Sequence, residues 1–160
     1  ALYLASWGMF RGSSALLQQS SRSLRPLISH LANLSPEFWR LDVDSYSSES
    51  LRELVALYGD LGLVLKEDVG VSATKTLTTK VMLGTLGNIP AFDSLFCAGS
   101  GLASPTAGNL SKVAELYRDY KPLIDNGRVN CIEFVSGRPG KVRYPIAKVI
   151  DMVYFIEGSR

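Results

Sequence analysis

"TKVMLGTLGNIPAFDS", residues 79–94, runs a helical pattern into two glycines, breaks at Pro90 and places a carboxylate at Asp93. Glycines in such a setting can cradle a phosphate, but "GTLGN" lacks the glycine spacing, the lysine and the hydroxyl residue that do so. Proline disfavours helical geometry in the residue before it and suits the first turn of a helix. Asp93 then falls about three residues into a second helix, where free amides and the positive end of the helix dipole favour a carboxylate. A structural role accounts for this spacing, so the stretch reads first as a joint between helices.

Few other side chains can do chemistry. The single histidine, His30, has no second histidine or cysteine at ligand spacing, so no zinc site is expected. Magnesium held by carboxylates stays open. "GSG" at 99–101 is not the nucleophile elbow that a Ser-His-Asp triad requires, and His30 reads as a surface or half-buried residue. Cys97 and Cys131 read as free, buried thiols of a reduced compartment, Cys97 without an activating base. No metal or cofactor is expected. Trp7 and Arg11 stand four apart on a helical strip with Ser14 and Gln18, spaced for a cation–π contact, and are the candidates for a cleft wall.

The charge is uneven along the chain. From Val71 to Arg160 there are 11 basic and 7 acidic residues, against 6 and 8 in the first seventy. Arg138, Lys141 and Arg143 crowd "SGRPGKVRY" and are the candidates for contact with nucleic-acid phosphates. The net charge of +2 neither demands nor excludes such a partner.

The elements that must position these residues are mostly helices. A chain of 160 residues, 46% hydrophobic and 20% charged, fits one globular domain, 1–160. It begins at Ala1 inside a ten-residue apolar run, "ALYLASWGMF". That is short of the roughly 20 residues of a membrane span and lacks the basic start of a signal peptide. The N-terminal segment of the native protein is therefore expected to lie upstream and to be missing, and no membrane partner is expected. Ala1, Ala5, Gly8, Gly12 and Ala15 form a small-residue stripe on a first, central helix.

"SRSLRPLISHLANLS" and "SSESLRELVALYGDLGLVLKE" read as amphipathic helices. The second is capped at Ser50 with Glu53, or at Ser47 or Ser48, and faces inward through Leu51, Leu54, Val55, Tyr58, Leu61 and Leu65. Gly59 and Gly62 suggest a close helix crossing. "VSATKTLTTKVMLGTLG" follows with Ser72 as cap, then "NLSKVAELYRDYKPLID" with Asn109 or Ser111 as cap. "VNCIEFVSGRPGKVRY" reads either as two short strands around a glycine turn or as a helix end and a loop, the loop slightly favoured. "YPIAKVIDMVYFIEG" closes the chain with Ile146, Val149, Ile150, Val153 and Tyr154 inward. The expectation is a mainly α, orthogonal bundle of about seven helices with room for one short β-hairpin near residues 130–144. Its core should hold Leu4, Phe10, Leu54, Tyr58, Val81, Leu86, Leu116, Tyr120, Ile150 and Val153.

Two resemblances add to this reading. "ASWGMFRGSS", "LGTLGNIPAFD" and "YPIAKVIDM" together resemble segments of an uncharacterised family of bacterial helical proteins, which implies a stable fold and a bacterial cytoplasmic origin but no activity. "TTKVMLGTLGNIPAFDSLF" is similar to a joint in helix-hairpin-helix DNA glycosylase-like domains, where a lysine-bearing helix leads into a Pro-x-x-Asp turn, and "KVIDMVYFIEG" is similar to their closing helix. "LGNIP" departs from the glycine-rich hairpin that grips DNA phosphate there. The resemblance carries Lys80 and Asp93 over as catalytic candidates, and Asp151 joins them if a cleft gathers it with Lys80 and Arg11. Three function classes follow: a non-catalytic nucleic-acid-associated or interaction domain, which is favoured; a glycosylase-like enzyme; and a subunit of a bacterial homo-oligomer or complex.

Overall fold

The structure, a computed structural model, describes residues 4–5, 9–10 and 14–160. Of the small-residue stripe, Ala1, Gly8 and Gly12 lie outside the described residues, as do the cleft candidates Trp7 and Arg11, while Ala5 and Ala15 are exposed. Among the described residues the chain is mainly α, with seven α-helices and one two-stranded antiparallel sheet. The helices are α1 (Arg25–Ala32), α2 (Ser48–Leu63), α3 (Lys75–Thr85), α4 (Ser94–Ser100), α5 (Ala107–Asp119), α6 (Lys121–Gly127) and α7 (Ile146–Glu157). The strands β1 (Asn130–Ile132) and β2 (Pro139–Arg143) lie between α6 and α7. No described helix is long and apolar enough to cross a membrane.

Local sequence sets most of these boundaries. Ser47, one of the alternatives, rather than Ser50 with Glu53, caps α2, accepting from the Ser50 amide at 3.1 Å, while the Ser50 hydroxyl accepts from the Ser47 amide at 2.8 Å. Each reciprocal bond satisfies an amide that the first helical turn leaves free. Thr74 rather than Ser72 caps α3, and Thr106 rather than Asn109 or Ser111 caps α5. The helix expected from 109 to 125 is two helices. Pro122 has no amide to continue the ladder, so α5 ends at Asp119 and α6 restarts at Lys121. Tyr120, caught at that break, is exposed rather than in the core.

One hydrophobic cluster runs from Leu4 to Ile150. Leu54, Val81, Leu86 and Ile150 are buried in it as expected, and Phe10, Tyr58 and Leu116 pack against it half-buried. The central element is α3, whose residues from Leu77 to Leu83 are all buried, including Thr78, Thr79 and Lys80. Ile146 and Ile150 are buried and Val149 and Tyr154 pack against the core half-buried, as expected, but Val153 faces solvent, because α7 turns Ala147 and Asp151 inward instead. Gly59 marks no crossing: a Cβ there would meet nothing within 4 Å. The close crossing is between α4 and α7, where Gly99 and Gly158 face the partner helix's backbone and Phe96 meets Tyr154 edge-on at 5.7 Å.

The segment 130–144 is a hairpin, against the loop reading. Asn130 pairs with Arg143 and Ile132 with Pro139, with a register irregularity between Asn130 and Ile132. Gly137 at φ 64° turns the chain, since only glycine adopts the left-handed region without strain, and the Glu133 amide donates to Arg138 O at 2.9 Å.

Candidate functional site

The joint at 86–93 is buried throughout. Its first two amides, of Leu86 and Gly87, still donate to Met82 O of α3; beyond them the chain leaves the helical ladder, so buried amides need acceptors from elsewhere. Thr79 Oγ1 on α3 accepts from the Phe92 amide at 2.9 Å, and Asp151 Oδ1 on α7 accepts from the Ala91 amide at 3.0 Å. The Tyr46 hydroxyl donates to Asn88 O. Burial, with Asp42 nearby, holds that phenol's pKa well above its usual value, so it stays a donor. Gly87, at φ 69°, lies against Pro145: a Cβ there would come within 2.5 Å of Pro145 Cγ. These bonds keep Pro90 and Asp93 out of a helix. Asp93 is the N-cap of α4, its Oδ1 accepting from the Phe96 amide at 2.9 Å, rather than a first-turn residue.

Lys80, Asp93 and Asp151 come together in this joint. Lys80 Nζ lies 3.4 Å from Asp93 Oδ2, with side chains only 7% and 11% exposed. Lys148 Nζ reaches Asp151 Oδ2 at 2.9 Å. The Asp93 carboxylate is near enough to raise the pKa of Asp151, adding to the larger effect of burial, while the Lys148 ammonium opposes both. Two lysines and two aspartates thus form a buried row with no formal net charge, tying α3, α4 and α7 to the segment between them. Asn88 beside it is fully buried, and among the described residues neither polar atom of its side chain meets a hydrogen-bonding partner. A third carboxylate, the half-buried Asp42, accepts from the Ile146 and Ala147 amides at 2.7 and 3.1 Å, fixing the start of α7.

Chemically, the joint has a lysine and carboxylates at short range. Every bond given above for Asp93 and Asp151 also serves the fold. The sign of the Asp151 shift gives a test. Its folded pKa is raised, so the folded state holds its proton more tightly. Stability should be greatest below the unfolded pKa of about 4 and fall as pH rises through the raised folded value. Asp151→Asn keeps an acceptor for the Ala91 amide and removes the titration. In urea melts across pH, wild type should lose stability relative to Asp151→Asn over that window, with a constant offset above it. A flat difference would mean that the Asp151 carboxyl holds its proton equally tightly in the folded and unfolded chains.

Arg138, Lys141 and Arg143 lie elsewhere, on the exposed ribbon formed by β1 and β2. Alternation along β2 puts Lys141 and Arg143 on one face. The Arg143 guanidinium donates to Asp125 O at 3.4 Å and Arg128 Nε to Tyr144 O at 2.9 Å, anchoring the ribbon's base. The ribbon's tip is apolar: Phe134 is 96% exposed and Val135 98%.

Compared with known protein families, curated proteins and solved structures, the chain matches none. Its chemistry is read from its own geometry. Among the described residues no group of three histidine, cysteine or acidic side chains is placed to hold a metal ion. Cys97 has a neighbour that the sequence did not disclose: Lys75 Nζ donates to its Sγ at 3.2 Å and to Ala103 O at 2.6 Å. Cys97 and Cys131 are half-buried rather than buried. Lys148, Thr79 and Asn88 also escaped sequence reading. The one available signal was Asp151 itself, an acid among the apolar residues of α7.

Proposed function

We propose that this chain is a non-catalytic, nucleic-acid-associated helical domain that binds weakly and with little sequence preference through the ribbon 128–144. The observation that carries the reading is the placement of Arg138, Lys141 and Arg143 on one exposed ribbon. Unlike Lys80 and Lys148, which are drawn into ion pairs with buried aspartates, these side chains stand in solvent. Basic side chains on a protruding element meet phosphates at little desolvation cost, and such binding weakens steeply as salt rises. The bacterial cytoplasmic setting rests on the resemblance of three segments to a bacterial family.

Fluorescence anisotropy with labelled oligonucleotides at low and moderate salt tests the reading. Neutralising Arg138, Lys141 and Arg143 together to glutamine should reduce low-salt affinity at least about tenfold and flatten the salt slope by about two to three. Unchanged binding, or none by wild type at low salt, would leave assembly into a homo-oligomer or complex as the better account.

The convergence of Lys80, Asp93 and Asp151 favours a second reading, a glycosylase-like enzyme. A lysine nucleophile must be neutral and must reach the sugar, whereas Lys80 is buried against a carboxylate. Borohydride trapping on an oligonucleotide with an abasic site separates the two: a covalent adduct lost in Lys80→Met would establish the enzyme.

A further inference from the structure

We infer that the tip of the β1–β2 ribbon is a base-stacking element, so that the ligand of the ribbon is single-stranded nucleic acid rather than intact duplex. The inference rests on the nucleic-acid reading above and adds the class of strand that is bound.

Phe134 and Val135 are almost wholly exposed at the turn, and Ile132 and Val142 are exposed just below them. Among the described residues none covers the phenyl ring, and a solvated apolar tip has no folding benefit to explain it. The turn itself is held by polar bonds. The Ser136 hydroxyl donates to Glu133 Oε2 at 2.9 Å, the Arg138 amide donates to Ser136 Oγ at 3.2 Å, and the Gly137 amide donates to Glu133 O at 2.9 Å. The ring is therefore presented on a structured turn, which lowers the ordering cost of using it.

Charge selects the occupant. Lys141 and Arg143 follow each other along one face of β2, about 7 Å apart by strand geometry, and Arg138 stands at the turn. A strand whose phosphates follow these cations brings its bases to Phe134. A lipid surface would also welcome an apolar tip beside cations. The Glu133 carboxylate, however, lies at the same turn, folded over Gly140, whose absent Cβ would come within 2.9 Å of Glu133 Cγ. Inserting Phe134 into a bilayer would carry that carboxylate toward hydrocarbon, at high cost. Against a base it stays at the edge of the stack, where it can accept from an exocyclic amine. An unstacked base can receive the ring directly, whereas a duplex must first be opened or kinked. Hence the preference for single strands.

The test uses the 160-residue chain, a 15-nucleotide single strand carrying 2-aminopurine, and the same strand as duplex. Wild type should bind the single strand more tightly and quench the 2-aminopurine. Phe134→Ala should weaken single-strand binding about 5- to 150-fold, the range of one base–aromatic stack. It should leave the salt slope unchanged and duplex binding within about twofold. Phe134→Tyr should keep both affinity and quenching. If Phe134→Ala binds the single strand like wild type while the Arg138, Lys141 and Arg143 variant does not, the tip is no stacking element and the nucleic-acid reading stands. If wild type binds neither strand at low salt, both fall. Flotation of wild type but not Phe134→Ala with phosphatidylserine vesicles, without oligonucleotide binding, would assign the tip to a membrane and overturn the inference.

Discussion

Replacing Asp93 with alanine should cost about 2–5 kcal/mol of folding stability, more than the loss of a helix cap alone. A cap is worth about 0.5–2 kcal/mol, and Asp93 supplies one to α4 through its Oδ1. Its Oδ2 also faces the buried Lys80 ammonium at 3.4 Å. Removing one partner of a buried pair commonly costs about 3–5 kcal/mol, because the other charge stays desolvated. The two contributions can be separated. Asp93→Asn keeps an oxygen for the Phe96 amide and discards the charge, so it should retain the cap and lose the pair. Lys80→Met fills nearly the same volume without a charge, and joined to Asp93→Asn it should recover much of the loss, since an apolar replacement of a buried pair is often neutral. Urea melts of the four proteins form a double-mutant cycle. A coupling energy below about 0.5 kcal/mol would reduce Asp93 to a cap and its nearness to Lys80 to coincidence.

This joint shows what sequence could disclose and what it could not. That Asp93 serves the fold was legible, because proline, glycine and aspartate at that spacing have local meanings. Its place as the cap itself was not. The helix start is set by Thr79 and Asp151, which hold the amides of Phe92 and Ala91 and keep the chain extended up to residue 93. Asp151 lies sixty positions from Ala91 in sequence, and no periodicity carries information across that separation. The same bond bears on α7. Counting apolar residues placed Ile146, Val149, Ile150 and Tyr154 on the core side, where they lie, but put Val153 there too. The Asp151 carboxylate, turned in to the Ala91 amide, takes that part of the inner face and leaves Val153 in solvent.

Where the controlling interaction lies within a few residues, sequence was a fair guide. Ser47 and Ser50 close the cap of α2, Pro26 falls in the first turn of α1, and Leu54, Leu61 and Leu65 face the core. The hairpin fell between these cases. Its turn glycine, Gly137, was visible, but strands of three and five residues are too short for alternation to outweigh a loop-like composition. Of the candidates for nucleic-acid contact, the basic residues were legible from their clustering. Phe134 was not, because exposure of an aromatic ring has no sequence signature.

Gly99→Ala and Gly158→Ala should each destabilise the protein by about 1–3 kcal/mol or more. Both residues sit where α4 and α7 cross. A Cβ on Gly99 would stand 2.2 Å from Tyr154 O and 2.8 Å from Gly158 N; one on Gly158 would stand 1.9 Å from Leu95 O. Neither glycine has positive φ, so backbone strain adds nothing and the whole cost is steric. The obstructing atoms are backbone, which cannot swing aside as a side chain can, so the helices must separate. Overpacking of this kind costs typically about 1–3 kcal/mol, and separation would also loosen the contact of Phe96 with Tyr154. Gly99 lies inside α4 and Gly158 caps the end of α7. Gly59→Ala is the internal control. It lies within α2 with nothing within 4 Å of the new methyl group, so it should stabilise by about 0.5–1 kcal/mol through helix propensity alone. Opposite signs for one chemical change at Gly99 and Gly59, read as urea midpoints at constant slope, would locate the tight crossing at α4 and α7. Equal and favourable effects at both would mean that the two helices do not approach so closely.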